Sequence, residues 1–268
     1  MRTKTKGDRQ SINACPFLCF LTLLFVLGCA HAPCQKNIVF QNAPINALLA
    51  GCYSGTMSVH DLAKRGDFGV GTLDALDGEM IVLDHAFYQI KPDGKAHLLK
   101  DKDTSPFATV TFFYVSQELS FERTMGYKEL TGFLDEKLPS ENLLYAIKVE
   151  GRFPLLKVRS AARQQKPFPV LTEAIKEQKI FELKDQKGTL VGFRFPSYVQ
   201  GINVPGYHFH FLSKDKTRGG HVLDLQVEGA RIRVDQSRGF SMELPESEEF
   251  LKFRFEADAK EAVAKIEK

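Results

Sequence analysis

A chain of 268 residues, 43% hydrophobic and 26% charged, is large enough to bury one sizeable core or two smaller ones, and this composition excludes an intrinsically disordered protein. Its net charge is only +3, with basic residues scattered among acidic ones, which excludes the electrostatic footprint of a nucleic-acid-binding surface.

Much of the positive excess lies at the start, where Arg2, Lys4, Lys6 and Arg9 precede an apolar run over residues 17–27. That is the layout of a secretory signal over residues 1–28, and the run is short for a membrane span. It ends in Val26-Leu27-Gly28-Cys29, which is similar to a bacterial lipobox and would make Cys29 a lipidated first residue. Cleavage by ordinary signal peptidase near Ala30 or Ala32 stays open beside it. The expected location is outside the cytoplasm, either periplasmic or as a membrane-anchored lipoprotein. Of five cysteines, Cys15 and Cys19 fall within the leader, and Cys29, Cys34 and Cys52 form no Cys-x-x-Cys metal knuckle. Cys34 and Cys52 are able to pair in an oxidising compartment, and isolated thiols fit equally well.

A linker and entry segment is expected over residues 29–57, followed by helical character over 58–65. Residues 73–76 lead into Asp77-Gly78, a dipeptide diagnostic of a tight hairpin turn, and 79–83 lead out as a strand. Further strands are expected at 87–90 and 109–115, a helix at 127–137, and a strand from 143 that continues through Gly151 toward Arg159. A short helix covers 171–178. Beyond it come the strands 188–195, 207–212, 221–227, 230–234 and 240–244, and then a helix-prone Ala/Lys/Glu tail over 256–268. The expected fold class is α+β, with two β-rich halves joined near Gly151 and flanked by helices. One is a mixed sheet over 58–150, and the other an antiparallel sheet or open barrel over 151–255.

Within the second half, Gly206-Tyr207-His208-Phe209-His210-Phe211 is followed, thirteen residues after His208, by His221 in Gly219-Gly220-His221. Alternation on a strand puts His208 and His210 on one face and Tyr207, Phe209 and Phe211 on the other. The polar stretch 213–220, ending in Gly-Gly, reads as a hairpin loop that sets His221 beside His210. An isolated His-x-His pair is commonly an ordinary feature of a sheet. A third histidine on the partner strand favours a metal site, for which three imidazoles at roughly 2.0–2.1 Å suit Zn²⁺, and iron, nickel or copper also fit. Three weaker candidates surround it. These are Glu79 beside the turn, Arg159 after the apolar run 155–158, and an acidic residue in the tail, each of a type that is commonly solvated.

At these points the chain resembles the alpha-acetolactate decarboxylases. The likeness is carried by Arg65-Gly66-Asp67-Phe68-Gly69-Val70-Gly71-Thr72-Leu73, Leu76-Asp77-Gly78-Glu79-Met80, Pro139-Ser140-Glu141-Asn142-Leu143-Leu144-Tyr145-Ala146-Ile147 and Lys157-Val158-Arg159-Ser160. It continues through Val191-Gly192-Phe193-Arg194 and Asn203-Val204-Pro205-Gly206-Tyr207-His208-Phe209-His210-Phe211 to Gly219-Gly220-His221-Val222-Leu223-Asp224. The resemblance implies a zinc enzyme that converts 2-acetolactate to acetoin and carbon dioxide without an organic cofactor. It assigns His208, His210 and His221 to the metal, Glu79 and Arg159 to the active site, and Thr72 with Arg159 to the substrate. A tail glutamate folded back on the zinc is matched by Glu267, with Glu256 and Glu261 nearby. It also implies a homodimer of two-domain α+β subunits.

The chemistry of the residue types agrees. Losing CO₂ from a β-keto acid leaves an enolate, which a Lewis acid on the ketone oxygen stabilises. Arg159 offers a planar, permanently charged fork for a carboxylate or enediolate oxygen, and Glu79 a general acid/base. Two rivals use the same residues: a cupin-like barrel holding a metal for dioxygenase or isomerase work, and a non-catalytic exported lipoprotein that binds a metal.

Overall fold

The alternating segments fold into two β-sheets that pack against each other, and the candidate residues lie where the sheets meet. In the computed structural model, residues 38–254 and Val263 are described. The chain opens with β1 (Ile38–Asn42), α1 (Ile45–Leu49), β2 (Met57–Ser58) and α2 (Val59–Ala63), which Ser58 caps by accepting from the Asp61 N–H. Next come β3 (Phe68–Thr72), β4 (Glu79–Leu83), β5 (Ala86–Ile90), β6 (Ala96–Leu98), β7 (Thr104–Ser105) and β8 (Ala108–Thr111). Then follow β9 (Gln117–Gly126), α3 (Tyr127–Lys137), β10 (Leu144–Ser160), α4 (Leu171–Ala174) and β11 (Lys179–Phe195). The described elements end with β12 (Gly206–Ser213), β13 (Gly219–Ser237), β14 (Gly239–Glu243) and α5 (Glu248–Lys252). Strands dominate and the helices are short, an α+β fold as expected.

The first sheet has the order β14-β1-β8-β3-β4-β5-β6. It is mixed, because β14 runs parallel to β1 while the other neighbours are antiparallel. In the second sheet the order is β10-β11-β12-β13-β9, and β13 also pairs with β10. That extra pairing closes four strands into a small barrel, a step beyond the open barrel that alternation alone suggests. Register shifts in β10 and β13 at Gly151/Arg152 and Lys157/Val158 supply the bends that closure requires. Phe153, Leu156, Phe209 and Phe211 fill the barrel interior, and α3 covers it with Leu130 and Leu134, one helical turn apart. Burying each such side chain stabilises the fold by roughly 1.5–3 kcal/mol. On the barrel's other face, Val191, Phe193 and Leu212 pack against Phe68, Ile81 and Ile90 of the first sheet.

The structure corrects several expectations. Residues 38–49, read as part of a linker, form β1 and α1, and β1 lies inside the first sheet. Its buried polar residues Gln41 and Asn42 interrupt the apolar run, yet both are hydrogen-bonded, Gln41 to Ala43 O and Asn42 to Ser105 O. Gly151, near which the two halves were expected to join, lies within β10. β14, expected in the second half, pairs with β1 instead. Residues 73–76 are not a strand: Ala75 and Leu76 take left-handed φ of 59° and 57°, and a 3-10 turn covers Asp74–Leu76. The strands expected at 221–227 and 230–234 are one strand, β13, whose Gly229 (φ 55°) sits at a bulge against β9. Of the expected tail helix only Val263 is described, and it is helical and buried. The leader, Cys29 and Glu267 lie outside the described residues.

One buried carboxyl joins the two layers. Asp235, on β13, accepts from the Tyr114 N–H, while its second oxygen has no hydrogen-bond partner among the described residues. Burial, with Asp67 nearby, pushes this carboxyl up from 3.8 to about 6. The folded state therefore holds the proton more tightly than the unfolded chain. The contribution of this carboxyl to stability is fully present below pH 3.8, is lost as the pH rises through about 6, and stays absent above it. Asp235→Asn is expected to match the wild type at pH 3.5 and to exceed it at pH 8 by on the order of 2 kcal/mol. Denaturant melts at the two pH values check this, and equal stability at pH 8 overturns it.

Candidate metal centre and its pocket

The site is assembled by register. On β12 the alternation sends Phe209 and Phe211 into the barrel, which leaves His208 and His210 on the face toward the first sheet. The hairpin from β12 to β13 places His221 opposite His210, and β10 places Arg159 opposite His221. Directly opposite residues share a face, so one row across three strands carries His210, His221 and Arg159. Gly220, before His221, has φ 151°, and a Cβ there would fall 2.7 Å from the Arg159 carbonyl oxygen. Only glycine lets the two backbones come this close.

All three imidazoles are buried, and their ring nitrogens converge. His208 Nε2 lies 3.1 Å from His210 Nε2 and 3.1 Å from His221 Nδ1. His210 Nδ1 is 2.9 Å from the carbonyl oxygen of Met80, on β4. A carbonyl only accepts, so Nδ1 carries the proton and the Nε2 lone pair faces the cluster. Burial first, then repulsion from His208 and Arg159, holds His210 well below the ordinary imidazole value; burial and then Arg159 hold His221 there as well. Neutral imidazoles with inward lone pairs are the state that a metal ion requires of histidine. Together the three form a group able to hold a metal ion.

The first sheet supplies the opposite wall. Glu79 is the first residue of β4 and pairs with Thr72, the last residue of β3. Before it, Gly78 takes φ 88°, and a Cβ there would fall 2.2 Å from Ile90 O, so the turn that delivers Glu79 requires glycine. Glu79 is 9% exposed, and its Oε2 lies 3.7 Å from His210 Nε2. The Thr72 hydroxyl donates to Gly78 O at 2.7 Å, which leaves its oxygen able to accept within the pocket. Arg159 is 7% exposed and donates through Nη1 to Gln178 Oε1 at 3.1 Å.

These polar groups form one side of a pocket whose other side is apolar, made by Ile45, Leu48, Leu76, Phe107, Leu171 and Ile175. Val263 packs in the hydrophobic cluster to which this apolar wall belongs. The structure thus gathers Thr72, Glu79, Arg159, His208, His210 and His221 around one cavity. Gln178 and the Met80 carbonyl were missed by sequence reasoning. A glutamine at the end of a short helix carries no motif, and a backbone acceptor has no signature in residue type.

With this geometry established, known proteins are informative. A family model described as alpha-acetolactate decarboxylase matches residues 39–257. The alpha-acetolactate decarboxylase of Methanosarcina mazei is 47% identical over 233 residues, covering 87% of this chain and 81% of that protein. That of Brevibacillus brevis is 42% identical over 221 residues, covering 82% and 78%. Among solved structures, the alpha-acetolactate decarboxylase of Bacillus subtilis strain 168 superposes with a TM-score of 0.82 at 35% identity, covering 86% of this chain and 97% of that one. The match spans both sheets and every residue that lines the pocket, so this chain is an enzyme of the alpha-acetolactate decarboxylase family.

Proposed function

We propose that this enzyme decarboxylates 2-acetolactate to acetoin and carbon dioxide, with Zn²⁺ held by His208, His210 and His221. The observation that carries the reading is the convergence of three buried imidazole nitrogens beside Arg159 and Glu79 in a half-apolar pocket. Three neutral nitrogen donors without a thiolate suit zinc, and separations of 3.1 Å lie near the roughly 3.3 Å that tetrahedral bonds of 2.0–2.1 Å impose. When bound, the ion supplies a Lewis acid for the substrate oxygens.

The chain's own residues account for the rest. Arg159 stays charged at any working pH, and its fork binds the substrate carboxylate. Loss of CO₂ leaves an electron pair on the carbon that carried the carboxylate, delocalised toward the neighbouring ketone. That carbon must then gain a proton, which Glu79 delivers as general acid and regains from water, since the reaction consumes one proton overall and the hydroxyl keeps its own. The Thr72 oxygen accepts from the substrate hydroxyl. Against the apolar wall, the two methyl groups of acetolactate displace water and fix the angle at which the carboxylate departs.

Treatment with a strong chelator is expected to abolish acetoin release from racemic acetolactate, and added Zn²⁺ to restore it. Full turnover by protein shown to be metal-free overturns the metal's role. Absence of acetoin from metal-replete protein overturns the reaction and favours the metal-binding lipoprotein reading.

A further inference from the structure

Arg159 is the positively charged side chain that lines the pocket, and its environment is unusual for a buried guanidinium. Its Nη1 donates to the neutral amide of Gln178, and its Nε is buried with no hydrogen-bond partner among the described residues. Buried arginines are ordinarily matched by carboxylates, because an uncompensated charge away from water costs several kcal/mol. An amide satisfies a hydrogen bond without neutralising the charge. A carboxylate in the same place would attract the guanidinium and compete with any anionic ligand.

Gln178 is also well anchored. Its N–H donates to Ile175 O at 3.1 Å, closing the turn that follows α4, and the next residue, Lys179, begins β11 paired with Ser160. The same short segment supplies Leu171 and Ile175 to the apolar wall. One piece of backbone therefore fixes both the wall and the acceptor that aims Arg159.

We infer that Gln178 is a positioning residue that orients the Arg159 guanidinium toward the substrate carboxylate while placing no negative charge of its own beside it. The inference rests on the proposed decarboxylation and on Arg159 binding the carboxylate. The carboxylate charge disappears as CO₂ leaves, so Gln178 supports the bound substrate more than the transition state. Its loss reads out in KM and in anion affinity before kcat.

The test compares zinc-loaded Gln178→Glu, Gln178→Ala and Arg159→Met. It measures inhibition by 2-hydroxyisobutyrate, an anion that lacks the ketone, and by acetoin, which is neutral. Gln178→Glu is expected to weaken the anion and raise KM about tenfold, Gln178→Ala about threefold, with acetoin inhibition and zinc content unchanged and kcat altered less than KM. A merely structural role reverses this order, since Glu nearly preserves the shape of Gln and Ala removes the side chain. The reversed order, or equal weakening of anion and acetoin, overturns the inference. If Arg159→Met weakens the anion while both Gln178 variants leave it unchanged, Gln178 alone is excluded. If Arg159→Met leaves anion binding intact, the carboxylate role of Arg159 fails, and the inference with it.

Discussion

His210→Ala is expected to lose the bound metal and to lower kcat/KM by three or more orders of magnitude. A metal that supplies several kcal/mol to the transition state corresponds to about tenfold per 1.4 kcal/mol. His210 is firmly held. Its Nδ1 proton is fixed on Met80 O, its Nε2 faces His208, and it is buried between the two sheets. Removing it deletes one nitrogen of the cluster and the contact that ties β12 to the Met80 carbonyl of β4. The pH behaviour of the metal-free protein follows from the same burial. Because folded His210 is held well below 6.5, the unfolded chain takes up a proton that the folded one refuses, so stability is present above pH 6.5 and is lost as the pH falls below it. That acid-side loss is expected to shrink in His210→Ala. Metal content, acetoin production and melts between pH 5 and 8 check the three claims. Stoichiometric metal and near-normal turnover in the variant would show that the metal lies elsewhere.

Much of this site was legible because its makers obey period two. His208 and His210 share a face by alternation, and a polar loop ending in Gly-Gly was enough to return His221 to the position opposite His210. Arg159 was legible as the end of a long strand, though not its place opposite His221, because β10–β13 pairing closes a ring that no local pattern encodes. Around Asp77-Gly78 the residue after the turn was located while the turn itself was misread. Ala75 and Leu76 adopt left-handed φ against their residue type, held by Ala75 bonds to Tyr53 O and from the Gln164 N–H. β9 escaped notice because one of its faces is open to solvent and its residues are mainly polar. β1 did so for the opposite reason, since buried Gln41 and Asn42 look like loop residues until their distant partners are in place. Gln178 belongs with these, because its meaning depends on a guanidinium nineteen residues away in sequence.

Glu79→Gln is expected to lower kcat by roughly 10²–10⁴, the usual contribution of a positioned general acid/base, while fold and bound metal survive. A solvated residue beside a tight turn would forecast the opposite, since surface substitutions commonly change stability by within about ±0.5 kcal/mol and leave rates alone. The structure decides between these settings. Glu79 is 9% exposed and lines the pocket 3.7 Å from His210, on a strand end whose approach is fixed by the positive φ of Gly78. Gln keeps the length and planar end of Glu but cannot ionise, so it isolates proton transfer from shape. KM is expected to change little, because in the proposed reaction the substrate is held by Arg159, Thr72 and the metal, not by Glu79. Glu79→Asp sharpens the contrast: it ionises but is one methylene shorter, and a proton donor that must reach a particular carbon loses rate when withdrawn by about 1 Å. The measurement is kcat on acetolactate with metal content determined on the same preparation. A fall of less than about threefold in Glu79→Gln, far below the range for a proton carrier, removes Glu79 from the reaction and leaves protonation to water or to another pocket residue.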